Sequence, residues 1–94
     1  MAIIGFADKE TEKVFNRQFS RRLPPDVQRV ALRKLIYLNN ARTLMDLHVP
    51  PSNRLEALLG DRAGQYSIRI NDKYRICFVV RENGFDSVEI VDYH

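Results

Sequence analysis

Tyr66-Ser67-Ile68-Arg69-Ile70-Asn71-Asp72-Lys73-Tyr74-Arg75-Ile76-Cys77-Phe78-Val79-Val80-Arg81 carries the fold class of this chain. Tyr66, Ile68 and Ile70 alternate with Ser67, Arg69 and Asn71. Tyr74, Ile76, Phe78 and Val80 then alternate with Arg75, Cys77, Val79 and Arg81. Successive side chains of a strand point to opposite faces, so a period of two reads as half-buried β-strand. Asn71-Asp72-Lys73 breaks the pattern with turn-forming residues, which predicts an antiparallel hairpin. Working outward, Gly60-Asp61-Arg62-Ala63-Gly64 and Glu82-Asn83-Gly84 predict two further turns, with a last strand over residues 87–93. The second half of the chain is therefore expected to be an antiparallel meander.

Upstream the period changes. Ile3, Ile4 and Phe6 predict a short first strand, and Asp8 is placed to cap a helix reaching Asn16 or Arg17, with Glu10 and Glu12 near its positive end. Pro24-Pro25-Asp26 opens a longer helix in which Val27, Val30, Ala31, Leu35 and Leu38 recur at helical spacing, and Asn39-Asn40 ends it. Residues 44–53 form a connector, because Pro50-Pro51 blocks helix continuation and Ser52-Asn53 favours a turn. Helices followed by a meander predict an α+β fold, N-terminal helices packed on an antiparallel sheet, with Leu35, Leu38, Ile68, Ile76 and Phe78 in its core.

Ninety-four residues make one domain, residues 1–94, and at this size about two thirds of the unfolded chain's surface is buried. The 45% apolar and 29% charged fractions suit a globular domain with a well-solvated surface. The apolar start is broken by Gly5 and has no basic lead. No apolar run approaches the roughly 20 residues of a membrane span, and the lone Cys77 has no internal disulfide partner. These features lead us to expect a cytoplasmic location and no membrane association. The net charge of +3 is unevenly spread: residues 17–42 hold seven Lys or Arg against Asp26, while residues 82–94 hold four acids and no Lys or Arg. Such a basic region supplies sequence-independent attraction to phosphates, although a solvated helix surface has the same composition.

No metal-ligand cluster is visible, because His48 and His94 lie far apart and Cys77 sits inside a strand pattern as a small core residue. Phosphate-binding glycine loops and serine nucleophile elbows are also missing. What remains is a polar set on the sheet: Arg69, Arg75, Glu56 and Asp92-Tyr93-His94. Cleaving RNA through its own 2′-hydroxyl needs a base, fixed positive charge on the phosphate and an acid for the leaving oxygen. Arg supplies the charge, and His, Glu, Asp or Tyr manages the protons. Read alone, Arg69 and Arg75 are better explained as ordinary solvent-facing strand residues, and Tyr93 as one that packs against a helix.

Asn53-Arg54-Leu55-Glu56-Ala57-Leu58, Gly60-Asp61-Arg62-Ala63-Gly64-Gln65, Ser67-Ile68-Arg69-Ile70-Asn71-Asp72, Tyr74-Arg75-Ile76-Cys77-Phe78 and Val88-Glu89-Ile90-Val91-Asp92-Tyr93-His94 together resemble the plasmid-killer family of HigB toxins in order and spacing. The resemblance extends to Leu44-Met45-Asp46-Leu47. It implies a RelE/ParE-like fold and an endonuclease that cuts mRNA in the ribosomal A site without a metal or other cofactor. It also implies a HigA-like helix-turn-helix antitoxin, a 70S ribosome and mRNA as partners, and operator DNA only through the antitoxin.

By position, the resemblance makes Arg75 the phosphate-contacting arginine and Asp92, Tyr93 and His94 the catalytic segment. Arg69 stands where related toxins place a basic residue, and Arg54, Arg62 and Lys73 complete the expected RNA-binding set. Glu56 stands where some HigB toxins have a catalytic histidine, and Leu59 where they have a lysine, so Glu56 is the alternative base to His94. Strict alternation sends Asp92 and His94 to one side of the last strand and Tyr93 to the other. Two other readings remain open: a ParE-like poison of DNA gyrase, and a noncatalytic RNA- or protein-binding module.

Overall fold

The two-residue alternation survives folding as the centre of one five-stranded sheet. A computed structural model describes residues 1–93. In chain order the elements are β1 (Ala2–Ile3), α1 (Lys9–Phe15), α2 (Pro25–Asn40), β2 (Glu56–Ala57), β3 (Gln65–Arg69), β4 (Tyr74–Arg81) and β5 (Gly84–Asp92). Short 3-10 turns lie at Leu44–His48, Pro51–Asn53 and Gly60–Arg62. The strand order is β1-β5-β4-β3-β2, and β2 to β5 form the expected antiparallel meander.

The sheet as a whole is mixed, which corrects the antiparallel expectation: β1 lies parallel to β5, pairing Ala2 with Gly84 and Ile3 with Phe85. Gly84 makes this approach possible. Its φ is +155°, and a Cβ there would stand 2.3 Å from the Ala2 carbonyl oxygen.

Asp8 caps α1 as expected, its Oδ1 accepting from the Thr11 amide at 2.7 Å. Thr11 is buried, and its Oγ1 accepts from the Ile90 amide at 2.9 Å, tying α1 to β5. Helix α2 buries Val27, Ala31, Leu35 and Leu38, while Val30 is only half-buried. This stripe packs on the even-numbered face of the meander, where Ile68, Ile70, Ile76 and Phe78 meet Phe85, Val88 and Ile90. All five core residues expected from the pattern are fully buried. Among the described residues no helix is long and apolar enough to cross a membrane.

The connector is more ordered than a loop. Thr43 and Asp46 form a reciprocal capping box on the turn at Leu44–His48, so two backbone amides at its start are satisfied. Arg54 follows the next turn in the left-handed region, with φ 46°. In β5 the pairing with β4 shifts between Cys77 and Val79, and Ser87 sits there with φ 53°, the signature of a bulge.

Candidate active site

The meander's register decides which polar side chains share a face, because directly paired residues point the same way. Glu56 pairs with Ser67, Ser67 with Cys77, and Cys77 with Glu89; one rung along, Arg69 pairs with Arg75 and Arg75 with Val91. These residues occupy the face turned away from the helices. Cys77 is fully buried, as expected of a small core residue, although it lies on this face and outside the cluster packed against the helices. Burial pushes the Cys77 thiol pKa up, the opposite of an activated nucleophile.

Arg75 is the hub. Alternation alone made it an ordinary solvent-facing residue, yet it is buried. Its Nε donates to Ser67 Oγ at 2.7 Å, and its Nη2 donates to the Arg54 carbonyl at 2.6 Å. Glu56 Oε1 lies 3.5 Å from the same Nη2. The Tyr93 ring covers the guanidinium, with 5.5 Å from Cζ to the ring centroid. A guanidinium tolerates this burial because its fork of donors meets fixed acceptors, and both bonds are charge-assisted. The Nη1 edge takes no part in either bond.

Arg54 reaches Arg75 through its backbone, and the preceding residue explains how. Asn53 is 1% exposed; its Nδ2 donates to the carbonyls of Leu47 and Val49, and its Oδ1 accepts from Lys34 Nζ at 2.7 Å. This side chain pins the turn at Pro51–Asn53 to α2, and the left-handed Arg54 then presents its carbonyl to the sheet. Burial, helped by the positive charges of Arg33, Arg69 and Arg75, holds the Lys34 pKa below the ordinary lysine value.

The other expected residues divide into groups. Arg69 stands directly opposite Arg75, a like-charge pairing that costs stability unless each partner has a counter-charge. Asp72 supplies one for Arg69, and Glu56 supplies one for Arg75. Arg62 reaches the far end of the same face, donating to Glu89 at 2.8 Å and to Gln65 at 3.0 Å, and the Glu89 bond raises its pKa. Lys73 Nζ lies 3.6 Å from Asp92 Oδ2, so these two pair with each other. His94 lies outside the described residues. Among the described residues, therefore, Arg75, Glu56, Tyr93 and the Arg54 backbone converge, Arg69 adjoins them, and Arg62, Lys73 and Asp92 flank them.

Ser67, Asn53, Lys34 and Glu89 were missed in the sequence. For Ser67 the signal was present, since a hairpin centred on Asp72 pairs Ser67 with Cys77 and Arg69 with Arg75, and so brings the hydroxyl diagonally beside the guanidinium. No local pattern marked Asn53 or Lys34, which meet across 19 positions. Among the described residues no group of three or more His, Cys, Asp or Glu could hold a metal ion.

Comparison with known proteins gives this geometry a context. Toxin HigB-1 of Vibrio cholerae serotype O1 is 39% identical over 76 residues, 80% of each chain. An uncharacterized protein of Haemophilus influenzae is 34% identical over 62 residues, 66% of this chain and 61% of its own. The YoeB/ParE toxin from Agrobacterium tumefaciens superposes over the full length of both chains with a TM-score of 0.56 at 18% identity, which shows a shared fold. Residues 4–94 match the model of the HigB-like toxins, described as the RelE-like toxin of type II toxin-antitoxin system HigB. The chain belongs to this HigB-like toxin family of the RelE superfamily, whose type II organisation implies an antitoxin partner.

Proposed function

We propose that this toxin is a ribosome-dependent mRNA endonuclease that works without a metal or other cofactor, and that the polar sheet face around Arg75, with His94, is its cutting site. The observation that carries the reading is the Arg75 guanidinium, anchored by Ser67 and Arg54 with its Nη1 edge outside both bonds. A preorganised cation of this kind stabilises charge that develops on a phosphate in the transition state.

In the proposed reaction the 2′-oxygen of the message attacks the adjacent phosphorus and the 5′-oxygen leaves. Glu56 or His94 takes the 2′-hydroxyl proton, and an acid returns one to the 5′-oxygen. Arg75 and Arg69 stabilise the crowded phosphate. Tyr93 holds the guanidinium plane and offers its hydroxyl to the same region, while Asp92 orients His94. Arg54, Arg62 and Lys73 bind the flanking strand.

The site's dependence on the ribosome follows from its sparse acid-base equipment: translating ribosomes would supply a positioned message. The partners in this reading are a HigA-like helix-turn-helix antitoxin, the 70S ribosome and mRNA. Operator DNA is reached only through the antitoxin, the compartment is the cytoplasm, and residues 1–94 act as one domain.

The test is 5′-end mapping of a message incubated with the purified protein, with and without translating ribosomes. Site-specific ends are expected only with ribosomes. Efficient cutting of naked RNA would remove the ribosome from the mechanism; cleaved gyrase-DNA complexes would make the toxin a ParE-like poison, and neither activity would make it a binding module.

A further inference from the structure

Along the outer face of α2 runs a groove of about 510 Å³ between Arg33, Lys34, Tyr37 and the turn at Pro51–Asn53. A second hollow of about 390 Å³ adjoins it across Tyr37 and Asn40 and extends the channel to Met45 and Val49; the Tyr37 hydroxyl donates to the carbonyls of Asp46 and Val49. From Arg33 to Ala41 this channel follows two turns of helix, about 12 Å at the usual rise per residue. Met45 is 67% exposed and Val49 64%, and both line the outer hollow, which gives that end of the channel an apolar character.

The channel's inner end is cationic. Among the described residues Lys34 donates to a neutral partner, the Asn53 amide oxygen, and Arg33, Arg69 and Arg75 add positive charge around it. A partly buried ammonium in that setting favours an incoming carboxylate. Chemistry of this mixed kind, apolar at one end and cationic at the other, discriminates between occupants. RNA would be drawn to Arg33 and Lys34 but gains nothing from Met45 and Val49, whereas protein interfaces are enriched in Met, aromatic residues and Arg.

We infer that this channel seats an acidic, amphipathic segment of the antitoxin, with apolar side chains against Tyr37, Met45 and Val49 and a carboxylate between Arg33 and Lys34. The inference rests on the antitoxin partner that the family implies and stands apart from the cleavage reading. A separate groove of about 360 Å³ lies nearer the other end of α2, beside Phe19, and serves as the internal control.

The antitoxin encoded beside the toxin is the probe, and titration calorimetry is the measurement. Arg33→Glu and Met45→Asp are each expected to raise the dissociation constant tenfold or more, whereas Phe19→Asp leaves it within about twofold. Both altered positions are exposed, so the folded toxin is retained. A second readout needs no variant: the protein has two methionines, Met1 and Met45, and in wild-type toxin labelled at the methionine methyls the Met45 signal should shift and lose its accessibility to a soluble relaxation agent on binding.

Affinities within twofold for both Arg33→Glu and Met45→Asp, or a Met45 methyl that stays accessible in the complex, would overturn the inference. So would an Arg33→Glu protein that keeps its antitoxin affinity and loses only ribosome association, which would assign the channel to RNA. If wild-type toxin cuts no message at all, the cleavage reading fails while these affinities still decide the docking surface.

Discussion

Ser67→Ala tests the anchoring of Arg75 more cleanly than removing the arginine itself. The substitution deletes one hydroxyl, fully buried, that accepts from Arg75 Nε at 2.7 Å. Hydrogen bonds to charged groups contribute about 1.5–3 kcal/mol, and here the charged donor would be left without its acceptor in a buried setting. We expect a loss of about 2 kcal/mol, since alanine fits the space without strain. For a chain of this size each kcal/mol moves the melting temperature by about 4–8 °C, so the shift should be about 8–16 °C downward. Activity, measured well below that transition as cleavage of a translated message, should fall about tenfold, because the guanidinium keeps its charge and its Arg54 bond but loses one of two fixed points. A melting temperature within about 2 °C of wild type together with unchanged cleavage would refute the anchoring argument.

Three further outcomes follow from the same geometry. Arg75→Ala should lower cleavage more than tenfold and, because Arg75 is buried, should also cost about 1–3 kcal/mol of stability, measured by urea unfolding; Arg75→Lys keeps the charge without the fork and should recover little activity. His94→Ala and Glu56→Gln separate the two candidate bases: the variant that removes the base should lose the limb of the pH-rate profile that rises with pH, and the other should retain it. Cys77 makes stability depend on alkaline pH. Burial raises its thiol pKa, so above the ordinary value of 9.0 the unfolded chain ionises first, the folded state binds more protons, and stability falls as pH rises toward the folded value. Urea midpoints from about pH 8 to about pH 10 should fall more steeply for wild type than for Cys77→Ala, and equal slopes would refute this.

Periodicity was enough to locate the meander because its two faces meet different surroundings, helices on one side and polar groups on the other. It could not announce β1's parallel pairing with β5. That contact joins Ala2 to Gly84, and although Asn83-Gly84 marks a turn, nothing local marks which distant strand packs against that glycine. The ordered connector was legible, since Thr43 and Asp46 stand at capping-box spacing ahead of the chain break at Pro50-Pro51. Short turns built from such caps leave no apolar repeat to read.

The site shows a different boundary between local and tertiary information. Alternation tells which face a side chain occupies, and it assigned Arg75 correctly to the face opposite the core; it says nothing about what later folds over that face. Here the turn at Pro51–Asn53, held by Asn53 and Lys34, brings the Arg54 carbonyl across to the guanidinium, and that is why a residue read as solvent-facing is buried. The last strand shows the converse. Asp92 and Tyr93 were expected on opposite sides, and they are: Tyr93 lies over Arg75, while Asp92 pairs with Lys73. Neighbouring residues of one motif therefore have different geometric access to the phosphate-binding cation. In the proposed mechanism Tyr93 acts directly at Arg75, and Asp92 acts through another group. Asp92→Asn should accordingly alter the pH dependence of cutting more than the binding of message, whereas Tyr93→Ala, by uncovering the guanidinium, should weaken both.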